Sequence, residues 1–204
     1  IRIPKLNVEL GTFKLPENVS FEEGTFIEPL ACVLRGQRTV NIGPGQSVLI
    51  LGSGISGLLH LLLAQSMGAG RIMMTDINEF RLNMAKKLGA EAVINAKDDV
   101  IGALREVNEG RLADLVIVCA GASAVFSQAL QAVERAGTIL CFAPTAPGET
   151  LNVPVNDFWR NQIKIIHSYG SGPADNAQAL ELLKAKRVKV DRLITHRLNL
   201  AQIG

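Results

Sequence analysis

The sequence predicts an α/β protein: a doubly wound parallel sheet of six strands with helices on both faces. Three observations carry that prediction. An apolar run, Val48–Leu51, enters a glycine turn, Gly52-Ser53-Gly54-Ile55-Ser56-Gly57, and a leucine-rich helical stretch follows; a second apolar run, Arg71–Thr75, then ends on Asp76. Extended and helical patterns alternate through the rest of the middle of the chain, the signature of βαβ units. Leu115–Cys119 (LVIVC) is continuously apolar, as a parallel strand covered on both faces requires.

Taken in order, residues 1–20 carry Pro4 and Pro16 and show no helical period. Ser20 followed by Glu23 has capping-box spacing and starts an uneven helix through Phe21–Val40, with Pro29 inside it. Gly43-Pro44-Gly45 turns into a strand over 48–52, and a helix over 55–67 follows, apolar nearly all round. A strand over 71–76 leads to a helix over 78–88, with Asn78 at its N-cap and Lys86, Lys87 and Gly89 at its end. Beyond lie a strand over 92–95, a helix near 98–109 and the strand over 115–119. A helix over 123–136 presents Phe126, Leu130 and Val133 on one face, and 138–143 is the fifth strand. In the last part, Leu151–Val155 and Ile163–Ser168 read as strands that extend the sheet, Ala174–Ala185 as an amphipathic helix and Leu193–Leu198 as extended.

The glycine turn carries the first functional reading. Gly52 permits the tight turn out of the strand, Gly54 lets the backbone approach a pyrophosphate, and Gly57 lets the helix pack closely on the sheet. The free N–H groups near Ile55 and Ser56 then face phosphates, aided by the helix dipole. Asp76 lies about 20 residues beyond the turn, where a carboxylate accepts hydrogen bonds from the adenosine ribose. Its negative charge disfavours a 2′-phosphate, so NAD is predicted over NADP. A ligand-free glycine turn in an ordinary α/β protein is the alternative, and the strand–turn–helix–strand–acid context argues against it.

Composition narrows the remaining classes. The chain has 204 residues and 21.9 kDa; 48% are hydrophobic and 20% charged, as in a soluble globular protein. Twenty-one basic residues balance 19 acidic ones and are scattered, so neither nucleic acid nor a membrane surface is a predicted partner. The longest apolar stretch, Ile55–Ala64, is too short to span a bilayer, and no signal peptide is evident. Cys32, Cys119 and Cys141, an odd number without CxxC spacing, read as buried reduced thiols of a cytoplasmic protein. His60, His167 and His196 share no ligand spacing, and no Ser-His-Asp set or adjacent carboxylate pair points to hydrolysis.

Several motifs, in order, resemble the zinc-dependent medium-chain dehydrogenases, the family of alcohol, polyol and threonine dehydrogenases. Glu28-Pro29-Leu30-Ala31-Cys32 is similar to the segment in which that family carries a glutamate beside its catalytic zinc. Gly52–Gly57 matches its nucleotide turn, with Ile55 where polyol-type members often have proline. Thr75-Asp76 with Arg81 matches its ribose-binding end, Arg81 being placed beside the adenine; Ala85–Ala90 and Leu193-Ile194-Thr195-His196 continue the pattern. The resemblance implies a Rossmann domain over 21–195, a remnant of a GroES-like catalytic domain over 1–20, and the start of a return to that domain over 196–204. The family's upstream zinc-binding cysteine, His-Glu pair and four-cysteine lobe are not in this sequence, and Ile1 in place of Met suggests a piece of a longer protein.

On that basis Cys119, Ala120 and Gly121 are expected beside the adenosine half, although small residues also suit tight packing. Phe142 and Ala143 are expected near the nicotinamide, through backbone contact. Glu28 supports two readings, a zinc-side carboxylate and an acid favoured at a helix beginning; a single carboxylate does not hold zinc. No catalytic side chain is expected in this chain. The implied whole protein oxidises an alcohol or polyol with NAD and zinc, as a homodimer or tetramer. A dinucleotide sensor and a zinc-free quinone reductase are the competing readings, and the acid in EPLAC disfavours the latter.

Overall fold

Val48–Leu51 has no exposed surface at any of its four residues, which makes it the central strand, β1. In the computed structural model, which describes residues 2–202, it is joined by β2 (Ile72–Asp76), β3 (Ala92–Asn95), β4 (Ala113–Val118), β5 (Val133–Cys141) and β6 (Lys164–His167). The six strands are parallel, in the order β3-β2-β1-β4-β5-β6. The order reverses between β1 and β4, which opens a crevice at their carboxyl ends.

Nine helices flank the sheet among the described residues: α1 (Lys5–Gly11), α2 (Phe21–Gly24), α3 (Ile27–Thr39), α4 (Ile55–Ser66), α5 (Glu79–Lys87), α6 (Val100–Val107), α7 (Ser123–Ala132), α8 (Val155–Arg160) and α9 (Pro173–Lys184). The period of two along β1 sorts them. Val48 and Ile50 face α3, α4, α5 and α9 through Leu30, Leu59, Ala85 and Leu183. Leu49 and Leu51 face α6, α7 and α8 through Leu104, Phe126 and Phe158. Burying each such side chain stabilises by about 1.5–3 kcal/mol, whereas an exposed ion pair contributes about 0–1 kcal/mol. Burial therefore holds the layers together, and pairs such as Arg35 and Arg38 with Asp175 only fasten α3 to α9 at the rim.

Several local expectations hold. Ser20 Oγ accepts from Glu23 N at 3.1 Å and Glu23 Oε2 accepts from Ser20 N at 2.9 Å, completing the capping box. Asn78 Oδ1 caps α5 by accepting from Phe80 N at 2.9 Å.

Others are corrected. Lys5–Gly11 is helical although it buries nothing: Pro4 starts the helix and a Lys5–Glu9 pair supports it, neither of which leaves a hydrophobic period to read. The uneven helix over 21–40 is two helices parted at Thr25-Phe26, and Pro29 sits in the first turn of the second, where its missing N–H costs no helical bond. The helix expected over 123–136 stops at Ala132, and Val133 already pairs with β4. Leu151–Val155 is not a strand. Pro154 has no N–H to donate and instead precedes α8, while Leu151 and Val153 pack on the core without pairing. Leu193–Leu198, read as extended, departs from that reading at its first residue: Asp191–Leu193 forms a single 3-10 turn that buries Leu193, and the backbone is extended again at Ile194. Of the three free cysteines only Cys141 is fully buried; Cys32 and Cys119 are partly accessible.

The amino ends of β1 and β4 are tied by polar groups. Asp114 Oδ2 accepts from Ser47 N at 2.9 Å and from Ser47 Oγ at 2.8 Å, and Oδ1 accepts from Arg111 Nη2 at 2.6 Å. Burial pushes the Asp114 carboxyl up, but these bonds and the Arg111 charge outweigh it and hold the pKa below the usual value. A folded-state pKa below the unfolded one means stability that is present above about pH 4 and lost as pH falls through the folded value. We expect the urea midpoint to fall between pH 5 and pH 3, and Asp114→Asn to be less stable at pH 7 but to show a shallower fall, as chemical denaturation at each pH will measure.

Candidate functional site: the glycine turn and its crevice

Backbone geometry explains each glycine of the turn differently. Gly52 adopts φ +108°, a conformation that strains any other residue. A Cβ on Gly57 would lie 1.9 Å from the Gly52 carbonyl oxygen, so this glycine is required for α4 to sit directly on the turn. Gly54 is the N-cap of α4, and a Cβ there would meet nothing within 4 Å. The space over Gly54 is therefore open, and no side chain caps the helix N-terminus where Ile55 and Ser56 begin. An anion seated over Gly54 would meet those N–H groups and the positive end of the helix dipole.

Asp76 ends β2 beside this turn and is 7% exposed. Its Oδ2 accepts from Ser53 N and its Oδ1 from Asn78 N, both at 2.9 Å, and Arg81 Nη1 lies 3.7 Å from Oδ2. The carboxylate is thus fixed by backbone donors at both oxygens, each keeping a lone pair for a further donor such as a hydroxyl. Arg81 and the exposed Phe80 flank a cavity of about 250 Å³ whose other walls include Ser53, Gly54, Ile55 and Thr195.

Cys119-Ala120-Gly121 follows β4 on the other side of the turn. Cys119 N donates to Leu51 O at 2.8 Å, and Ala120 Cβ is 3.3 Å from where a Gly52 Cβ would stand. Gly121 abuts Pro144, whose carbonyl oxygen would be 2.3 Å from a Gly121 Cβ. Phe142 and Ala143 continue from β5, their N–H groups donating to Val118 O at 3.2 and 2.9 Å. They line a second, larger cavity of about 740 Å³ with Cys32, Pro144, His167 and Tyr169. The residues singled out thus sit at the carboxyl ends of β1, β2, β4 and β5; Gly54, Ile55 and Arg81 line the small cavity, and Phe142 and Ala143 the larger apolar one.

Glu28 stands apart from the turn, in the first turn of α3, where its Oε1 accepts from Cys32 Sγ at 3.1 Å. Burial first, and the neighbouring Glu28 next, push the Cys32 thiol above its usual pKa, so it is held protonated. Among the described residues no group of three or more His, Cys, Asp or Glu could hold a metal ion. The described residues therefore do not by themselves make a zinc site. His60 is buried inside the molecule, His167 borders the larger cavity, and His196 lies beside Thr195 in the exposed tail.

Some members of the site are not legible from the motif alone. Ser53 contributes its backbone N–H to Asp76 rather than its hydroxyl to a ligand, and Thr195 and Leu193 reach the small cavity from more than a hundred residues downstream. Asn78 had a visible signal in its N-cap position. Pro144 is legible as the end of Phe142-Ala143-Pro144, but its carbonyl contact with Gly121 is not.

The sequence profile of the zinc-binding dehydrogenase family matches residues 56–185. L-idonate 5-dehydrogenase of Vitis vinifera is 35% identical over 198 residues, 93% of this chain and 52% of that protein. Sorbitol dehydrogenase of Arabidopsis thaliana is 32% identical over 198 residues, covering 93% and 53%. Among solved structures, a zinc-binding dehydrogenase from Sinorhizobium meliloti 1021 bound to NADP superposes with a TM-score of 0.84 at 28% identity, over 90% of this chain and 54% of that one. The chain spans about half the length of the curated relatives it matches.

The two helix-start glycines should separate experimentally. Gly57→Ala must displace α4 from backbone, an overpacking cost of about 1–3 kcal/mol or more, and at about 2–4 °C per kcal/mol for this size it should lower the melting temperature by several degrees. Gly54→Ala meets open space and should leave the melting temperature of the unliganded chain within about 1 °C, a difference that differential scanning calorimetry resolves.

Proposed function

Since the chain belongs to the zinc-binding dehydrogenase family, we propose that it is the nucleotide-binding half of an alcohol- or polyol-type dehydrogenase that uses NAD. The observation that carries the proposal is the open, uncapped helix start at Gly54, set beside a carboxylate fixed by two backbone donors. In this reading the Ile55 and Ser56 N–H groups hold the pyrophosphate, Asp76 accepts from the adenosine ribose hydroxyls, and Arg81 borders the adenine. Cys119, Ala120 and Gly121 pass beside the adenosine half of the cofactor, and Phe142 and Ala143 wall the nicotinamide in the larger cavity. A bound nicotinamide supplies the acceptor for a hydride from the alcohol; the protein residues named here orient it and keep water from one face.

The Sinorhizobium relative holds NADP, and the choice here turns on charge. Asp76 would oppose a 2′-phosphate, and Arg81, the nearest cation, is already engaged with that carboxylate at 3.7 Å. NAD is therefore the proposed cofactor. The names of the relatives support a small alcohol or polyol as substrate, met where the larger cavity opens. Residues 1–20 and 196–204 are proposed to belong to a catalytic domain, with 21–195 as the nucleotide domain; Ile1, Ile203 and Gly204 lie outside the described residues. Glu28 is the one residue here proposed to approach zinc in the whole protein. A cytoplasmic location is proposed from the reduced cysteines, and among the described residues no helix is long and apolar enough to cross a membrane.

Calorimetry should show the 204-residue chain binding NAD more tightly than NADP, with Asp76→Ala narrowing the preference by about tenfold, the worth of a charge-assisted hydrogen bond. The same chain should form no NADH from alcohols, polyols or threonine with zinc added, because no group of ligands among the described residues could hold the ion. Tighter NADP binding, or steady turnover, would overturn the respective half of the proposal.

We also propose that the protein assembles as a homodimer, or a tetramer built from such dimers. β6 is an edge strand with free pairing groups, and the neighbouring Trp159 and Tyr169 are 75% and 97% exposed. Sedimentation at micromolar concentration should give a dimer, and Ile166→Lys, within that edge strand, should shift it towards monomer.

A further inference from the structure

Three buried side-chain polar atoms have no hydrogen-bond partner among the described residues: Gln37 Oε1, His60 Nε2 and Ser168 Oγ. They belong to one knot around Phe142. Gln37 Nε2 donates to the His60 carbonyl oxygen at 2.8 Å and lies 3.2 Å from His60 Nδ1. An amide nitrogen has two hydrogens, so both contacts are met together when Nδ1 is the acceptor; the ring proton is then on Nε2. Burial pushes the His60 pKa down to about 3, so the ring is neutral. Phe142 meets that ring edge to face, with centroids 4.6 Å apart and planes at 89°. From another side Gly36 closes on Phe142: a Cβ there would lie 3.4 Å from Phe142 Cδ2 and 3.6 Å from Ser168 Oγ.

A histidine in this place calls for a reason. The surrounding positions of α4, Leu58, Leu59, Leu61 and Leu63, are buried leucines, and a leucine at 60 would avoid the cost of an imidazole N–H without a hydrogen-bonding partner. An edge-to-face ring pair recovers part of that cost and, unlike a leucine contact, fixes ring orientation. Phe142 is also the residue through which the knot reaches the larger cavity.

We propose that His60 is a positioning residue for the nicotinamide half of the site: its edge-to-face contact with Phe142 fixes the wall against which the nicotinamide lies. The proposal rests on the nucleotide-binding reading above. It is specific to one end of the cofactor, because α4 offers its N-terminus to the pyrophosphate three residues or more from His60, while Phe142 lies in the other cavity.

The test compares NAD with ADP-ribose, which lacks the nicotinamide, by calorimetry on the 204-residue chain. His60→Leu should weaken NAD by about three- to tenfold and leave ADP-ribose within about twofold. Phe142→Leu should do the same, and the double variant should lose less than the product of the two. Nitrogen-15 shifts should show His60 of the wild-type chain in the Nε2–H form. Equal losses for both ligands, no loss for NAD, or an Nδ1–H tautomer would overturn the inference while leaving nucleotide binding intact. A wild-type chain that binds neither ligand would overturn the nucleotide reading and this inference with it. Should His60→Leu not fold, the tautomer and the Phe142→Leu selectivity decide the matter by the same criteria.

Discussion

The junction between β1 and α4 rests on one steric fact: the first turn of the helix lies where a Cβ on Gly57 would stand 1.9 Å from the Gly52 carbonyl. No L side chain fits that gap. Because the helix comes so close, it leaves the strand almost at once, and its uncapped N–H groups open onto the crevice where the strand order reverses. Moving the helix outwards to admit a side chain would also draw Leu59, Leu61 and Leu63 out of the first core layer. Stability and the anion-facing geometry thus depend on the same missing methyl group.

The neighbouring polar contacts keep that crevice in shape without ligands. Asp76 is clasped by the N–H groups of Ser53 and Asn78, so the carboxylate that ends β2 is oriented by backbone from two elements. Gly52 against Ala120 and Gly121 against Pro144 set the spacing of the β1, β4 and β5 ends by direct contact. A cofactor entering such a site meets groups that need little reordering, which lowers the entropic cost of binding.

Chemistry is unevenly distributed over the molecule. The crevice has donors, one fixed carboxylate and an apolar cavity, which suit binding and orientation. Glu28 stands apart from the turn and accepts a hydrogen bond from the Cys32 thiol. Among the described residues no group of three or more His, Cys, Asp or Glu could hold a metal ion, and the chain spans about half the length of the curated relatives it matches.

The turn, the parallel strands and the acid at 76 could be read from the sequence because each is a local matter: a glycine pattern, an unbroken apolar run and an acid at a fixed remove. Capping at Ser20 and Asn78 is local in the same sense. Reading failed where burial and pairing part company. Leu151 and Val153 have the apolarity of a strand, yet Pro154 removes a donor and they pack on the core unpaired. Lys5–Gly11 fails in the opposite way, since a helix that buries nothing leaves no hydrophobic stripe. Only the tertiary structure could bring Thr195 to Gly54, Pro144 to Gly121, and Gln37 and Phe142 to His60. Those contacts join residues 23 to 141 positions apart, and their geometry is set by how the layers pack rather than by any preference of the residues themselves.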